Sequence, residues 1–369
     1  VLADDSILLA ELTRRYNERV SEKTGTDAPR PDLYDLLLES LDQADAAFPE
    51  LATWSTRKSL ARIEWRRRGA RMVRRGIAKR YAEAFYAFES ALAAGEFVNR
   101  SLVHAYGGWM DGCPDSERFP SFFGVDHTVG GKHVKALLLL GMHARSVRIG
   151  SEILLLLREG YCEGAASRAR TLYELTVKML LICRESEDDG WELAERYFVS
   201  SRLEAFSRSE LFSDSLDEAN AALRDVAVGR WGTYLFRGHN NWAAPAVRVS
   251  GGRNITFRDL EEAVESESIR HMYLECNHAV HVGALTLIES TDFRRSYLHN
   301  CRSEVDILRT GRIGQATAFY LQVGTMEAAK RLTSDLSEWD WMLSAIDFHR
   351  RIEEANRCFF RIYSPRRAE

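Results

Sequence analysis

A chain of 369 residues, 45% hydrophobic and 28% charged, has the composition of a globular protein with a core and excludes collagen-like, low-complexity and strongly charged unfolded classes. Its formal net charge of −4 assigns no partner from overall balance. No apolar run approaches the roughly 18 residues of a membrane span, so no membrane partner is expected.

Helical periodicity dominates. Residues 6–22 and 32–47 read as amphipathic helices parted by a turn between Gly25 and Pro31, and Pro49 marks a break. Residues 55–93 read as one long helix, with Leu60, Ile63, Ala70, Val73, Ile77, Tyr81, Ala84, Phe88 and Leu92 at steps of three and four. That stripe is expected to pack along its whole length. Residues 95–131 hold Gly107, Gly108, Gly112, Pro114, Pro120, Gly124, Gly130 and Gly131 and read as a long, aromatic-rich connection. Helices follow at about 132–159, 161–185, 190–212 and 215–227, then an irregular stretch over 228–256. A helical region begins near Asp259, a strong helix covers about 268–290, and two or three more fill 303–363. Neither a strand ladder nor a repeat emerges. The fold class is all-α: a multi-helix bundle with a long basic N-terminal helix and two long irregular loops. The expected domains are an N-terminal helical region over 1–125, a core domain over 132–300 and C-terminal helices over 301–369 that pack on it.

Six cysteines lie scattered at 113, 162, 183, 276, 301 and 358, with no CxxC pair. The opening Val1-Leu2-Ala3-Asp4-Asp5 has no basic stretch of a secretory signal. Reduced thiols and a cytoplasmic location are expected.

The charge is unevenly distributed. Between Arg57 and Arg80 stand eleven Lys or Arg and one acid, Glu64, which leaves 39 basic and 53 acidic residues elsewhere. A basic amphipathic helix suits a phosphate backbone through electrostatics that need no base reading. It also suits an anionic membrane surface or the chain's own acidic remainder. Arg62, Arg66, Arg67, Arg71, Arg74 and Arg75 are the candidate contacts to RNA or DNA.

Arg170 and Glu174 stand four residues apart on an apolar helix, so they share one face. Charges on so apolar a helix are a structural ion pair or part of a polar site. Later in the chain, His271, Tyr273, Glu275, Cys276, Asn277, His278 and His281 crowd one helix. Glu275 and His278 have the spacing of di-iron bundles, but no second Glu-x-x-His exists in the chain. A zinc site from His278 and its neighbours stays open as an alternative; the favoured reading names no metal and no cofactor. Another reading pairs His281 with Arg170 and Glu174 as catalytic residues, His moving protons and Arg stabilising charge on a phosphate. His143, Arg145, Tyr273, Asn277 and His278 would complete the polar cluster. The competing reading is a non-catalytic module in which these groups form a buried hydrogen-bond network. Walker, nucleophile-elbow and dinucleotide-binding motifs are missing, which argues against nucleotide hydrolysis, hydrolase and dehydrogenase functions.

Four pieces of sequence together resemble an uncharacterised bacterial family, a domain of unknown function. They are His143 with Arg145, the Leu156-Leu157 pair with Gly160, Arg170-Thr171-Leu172-Tyr173-Glu174, and Tyr273 with Asn277, Val280 and His281. The resemblance covers about 132–290. More loosely, the region is similar to the HEPN group of all-α domains, many of them ribonucleases of toxin–antitoxin and antiphage systems. That resemblance implies a metal-independent ribonuclease acting as a homodimer. The HEPN signature sets its Arg a few residues before its His on one helix. Here seven residues separate Arg270 from His278 and ten separate it from His281, so the resemblance assigns the Arg to another helix, at Arg170.

Overall fold

The computed structural model describes residues 50–112, 131–185, 191–207, 214–247, 252–265, 307–336 and 341–364, with single positions at 10, 13, 14, 17, 18, 21, 270, 273, 274 and 276. Among these residues the secondary structure is α-helix with two short 3-10 turns and no strand, so the chain is all-α. The helices are α1 (Glu50–Gly112), α2 (Gly131–Arg158), α3 (Cys162–Arg184), α4 (Glu192–Ser207), α5 (Asp214–Trp231), α6 (Phe257–Ala263), α7 (Ile307–Leu336) and α8 (Trp341–Tyr363). None of the described helices is long and apolar enough to cross a membrane. The expected helix over 32–47 lies outside the described residues, whereas Ala10, Thr13, Arg14, Asn17, Glu18 and Ser21 of the expected 6–22 helix are helical.

The chain divides into two units, Val1–Met72 and Val73–Glu369, with the boundary falling inside α1. In the first unit Arg14 pairs with Glu18 one helical turn on, and Glu64 accepts from Arg68 at 3.3 Å and from Arg71 at 2.9 Å. The apolar stripe does not pack along its whole length here. Leu60 and Ile63 are exposed, as are Trp65 and Met72. Around them Arg62, Glu64, Arg66, Arg67 and Arg68 interrupt the apolar surface, leaving a seam too narrow to exclude water.

In the second unit the stripe is committed to the core. Ile77, Tyr81, Ala84, Phe88 and Leu92 are buried, and Val98, Leu102 and Ala105 continue the same face. This continuation explains why α1 runs to Gly112 where the sequence predicts a loop from residue 95. Gly107 has open space around it and the next proline is Pro114, so nothing stops the helix earlier.

Around that face α7 packs on α2, α3 and α8, and α2 packs on α3. The closest approaches fall on glycines. A Cβ at Gly150 would lie 2.7 Å from Leu92 Cδ2 and 2.9 Å from Leu321 Cδ1, which places α1, α2 and α7 in contact at one point. At Gly314 a Cβ would land on the ring of Phe359, itself packed edge-on against Phe85 and Phe88. The region expected to be irregular over 228–256 holds the 3-10 turns Thr233–Phe236 and Asn241–Ala243.

Candidate functional site

The Ala-rich first half of α3, with Ala165, Ala166 and Ala169 buried, lets the helix sit deep in the bundle while its other face carries charge. Arg170 Nε donates to Glu174 Oε1 at 2.9 Å, with 23% and 33% of the two side chains exposed. Lys178 continues the same spacing. Burial pushes its ammonium below the ordinary lysine value, opposed by the charges of Glu174 and Glu204. The Arg170 guanidinium lies 5.8 Å from the centre of the Tyr273 ring and hydrogen-bonds that side chain. Burial pushes the Tyr273 hydroxyl above its ordinary value, against the pull of Arg170. The phenol therefore stays protonated at neutral pH.

Tyr173, one position before Glu174, faces inward. Its ring stacks on Tyr273 with centroids 4.5 Å apart and packs against Tyr320 and Phe257. Its hydroxyl donates to Glu261 Oε1 at 2.7 Å, and Arg270 Nε donates to Glu261 Oε2 at 3.4 Å. Glu261 is placed by α6, whose start is closed by a capping box between Thr256 and Asp259. The end of α6 is held by Arg184 of α3, which donates to the carbonyls of Ala263 at 2.6 Å and Val264 at 2.8 Å. Two carboxylates, two guanidiniums and two tyrosines thus tie α3 to α6 and to the segment carrying Arg270 and Tyr273.

Of the residues expected from sequence, Arg170, Glu174 and Tyr273 come together. His143 does not join them. It is fully buried between Asn99 of α1, at 3.1 Å from Nδ1, and Thr325 of α7, at 3.1 Å from Nε2. Arg145 is exposed on α2. Asn277, His278 and His281 lie outside the described residues, as do His271 and Glu275 of the metal alternative. Sequence reasoning missed Lys178, although it continues the four-residue step from Glu174. It also missed Glu261 and its pairing with Arg270, which depends on how α6 folds back onto α3 and has no local signature.

Among the described residues, Glu83, Glu354 and Cys358 converge closely enough to suggest a metal site. Arg361 fills that cluster. Its Nη2 lies 3.4 Å from Glu83, 3.2 Å from Glu354 and 3.1 Å from Cys358 Sγ. Burial and the Glu354 contact push the thiol up to about 11. A protonated thiol beside a guanidinium is a poor ligand set.

Along α1, Arg62, Arg66, Arg67 and Arg75 are exposed and have no carboxylate partner among the described residues. Arg71 shares Glu64 with Arg68, and those two hydrogen bonds hold the Glu64 carboxyl below its usual range, Arg71 contributing most. Arg74 donates twice to Glu159 Oε2, at 3.0 and 2.7 Å.

With this geometry in place, comparison with known families is informative at one level. A model described as a family of unknown function (DUF5677) matches residues 136–295. The matched span includes all four sequence pieces that carry the resemblance to a domain of unknown function, and both halves of the Arg170 network. No curated protein and no solved structure matches the chain.

Proposed function

We propose that the chain binds nucleic acid through the phosphate backbone, using the arginines of α1, and that the Arg170–Glu174–Tyr273 network is a brace that ties α3 to the segment carrying Tyr273. The observation that carries this reading is the state of the basic side chains. Arg62, Arg66, Arg67, Arg75, Lys79 and Arg80 are exposed without a carboxylate partner among the described residues, although acids outnumber bases elsewhere in the chain. A basic helix serving its own acidic surface would have its charges paired. Unpaired arginines in water are instead available to replace condensed counterions on a polyanion.

The test is fluorescence anisotropy with a mixed-sequence RNA and a DNA oligonucleotide over a range of salt. Binding is expected to weaken steeply between about 50 and 200 mM salt, and the combined Arg62→Ala, Arg66→Ala and Arg67→Ala variant to reduce the log–log salt slope by about 2 to 3. Absent binding, or binding indifferent to salt, overturns the proposal.

A second reading, a HEPN-type ribonuclease acting as a homodimer in a defence or toxin system, is favoured by one observation. Arg170 and Glu174 keep part of their surface in solvent, so a phosphate has access to the guanidinium. Under that reading Arg170→Ala abolishes RNA cleavage and melts normally. As a brace, the same variant lowers Tm by several degrees and has no cleavage to lose.

A further inference from the structure

Among the described side chains, Trp65 is the only exposed tryptophan. Trp242 and Trp341 are buried, and Trp191 and Trp231 are half-buried. Trp65 also stands off the apolar stripe of α1. It lies two residues beyond Ile63, about 200° further round the helix, so it points away from the line through Ile63, Ala70 and Ile77. Met72, seven residues on, returns to nearly the same angle and is exposed too. Packing along the stripe leaves the indole outside it, with 45% of Trp65 open to solvent.

The neighbours of the ring on its own face are of two kinds. Ala61 and Gly69, four residues to either side, are small and leave the ring standing clear of the helix. Arg62 and Arg68, three residues to either side, are exposed and flank it with guanidiniums. Arg68 keeps its contact with Glu64 at 3.3 Å, while Arg62 has no carboxylate partner among the described residues.

A phosphate backbone needs only the cations. An exposed indole among them supplies the other half of a single-strand site, a ring on which a base can stack. In a duplex the base faces cover one another, and a protein helix meets edges and phosphates. In a single strand the faces are open. We propose, resting on the backbone-binding reading above, that this face of α1 takes single-stranded nucleic acid, one base stacking on Trp65 while Arg62, Arg66 and Arg67 hold the flanking phosphates. A lipid surface is the poorer match. Trp65 and Met72 are the large apolar residues of this face, and Lys58 and Lys79 stand on it seven residues before the one and seven after the other. The face therefore has no charge-free band wide enough to sink into a bilayer interface.

Fluorescence anisotropy of the full chain tests this with four labelled probes of equal length at one salt concentration: a mixed-sequence RNA strand, the same sequence as a DNA strand, an abasic DNA strand and the DNA duplex. The two base-bearing single strands are expected to bind about tenfold tighter than the abasic strand, and tighter than the duplex. Trp65→Ala is expected to lower single-strand affinity about tenfold, to the level of the abasic strand. Its duplex affinity and its log–log salt slope stay those of the parent, since no charge is removed. Trp65→Phe, which retains a ring, is expected to keep most of the single-strand affinity. A duplex bound more tightly than the single strands overturns the inference, and so does a Trp65→Ala variant with the parent's single-strand affinity. Loss of binding to phosphatidylserine vesicles in Trp65→Ala, with single-strand affinity intact, overturns it in favour of a lipid surface. Equal and steeply salt-dependent binding of all four probes overturns it and leaves backbone binding by α1 standing, whereas no binding to any probe removes both.

Discussion

Solvent does not reach the His143 ring, and its two neighbours fix both its tautomer and its charge. The Asn99 amide nitrogen donates to Nδ1, so Nδ1 carries no proton, and Nε2–H donates to Thr325 Oγ1. Burial holds the imidazole down to about 4, against about 6.5 for a free histidine. Because the folded value lies below the unfolded one, the unfolded chain takes up the proton first as pH falls. The stabilisation is complete above pH 6.5 and is lost as pH drops towards 4, at about 1.4 kcal/mol per unit. Thermal melts from pH 7 to pH 4 on the native chain and on His143→Gln check this. The native chain is the more stable at pH 7, and its advantage shrinks on acidification; a constant gap would contradict the assignment. The same scale shows what sequence could and could not reveal. Arg170 and Glu174 are legible because their partnership is local, four residues along one helix. His143 is legible as a polar residue on an apolar helix, but its partners come from α1 and α7 at sequence separations of 44 and 182, where spacing carries no information.

Among elements, the glycines separate by what they face, and this sets the sign of two substitutions. Gly141 is exposed on α2 with nothing within 4 Å of an added Cβ. Gly141→Ala is expected to stabilise by about 0.5 to 1 kcal/mol, through helix propensity and a less variable unfolded chain. Gly314 faces the Phe359 ring, which is held by Phe85 and Phe88 and has no room to retreat. Gly314→Ala is expected to destabilise by about 1 to 3 kcal/mol. Paired urea titrations check both, and equal effects of one sign would refute the packing described. Helix positions were readable from periodicity across most of the described chain, because each helix exposes one polar face to water. The end of α1 was not. Glycine composition alone suggested a loop from residue 95, whereas burial of Val98, Leu102 and Ala105 outweighs the modest helix penalty of glycines further on. Sequence shows where a helix is weak; only packing decides whether that weakness matters.

Across the whole molecule, the small net charge is the sum of two opposed populations. The acids are dispersed, and among the described residues many meet an arginine, some locally, as in Arg253 with Asp259, Arg258 with Glu262 and Arg351 with Asp347, and some across helices, as in Arg158 with Glu89. Exposed pairs of this kind contribute little each. The arginines of α1 are concentrated and largely lack such neighbours, which makes them the feature of the surface most sensitive to ionic strength. The contact of α1, α2 and α7 at Gly150 has a different kind of consequence. A methyl added at Gly150 and the side chains of Leu92 and Leu321 claim the same volume, so their substitutions cannot be independent. Gly150→Ala and Leu321→Ala each destabilise alone, one by crowding and one by leaving a void. Together they are expected to lose less than the summed single losses, with a coupling of about 0.5 to 3 kcal/mol in a double-mutant cycle. Relatives with a larger residue at that position would then carry a smaller one on the neighbouring helix, a covariation imposed by shared space.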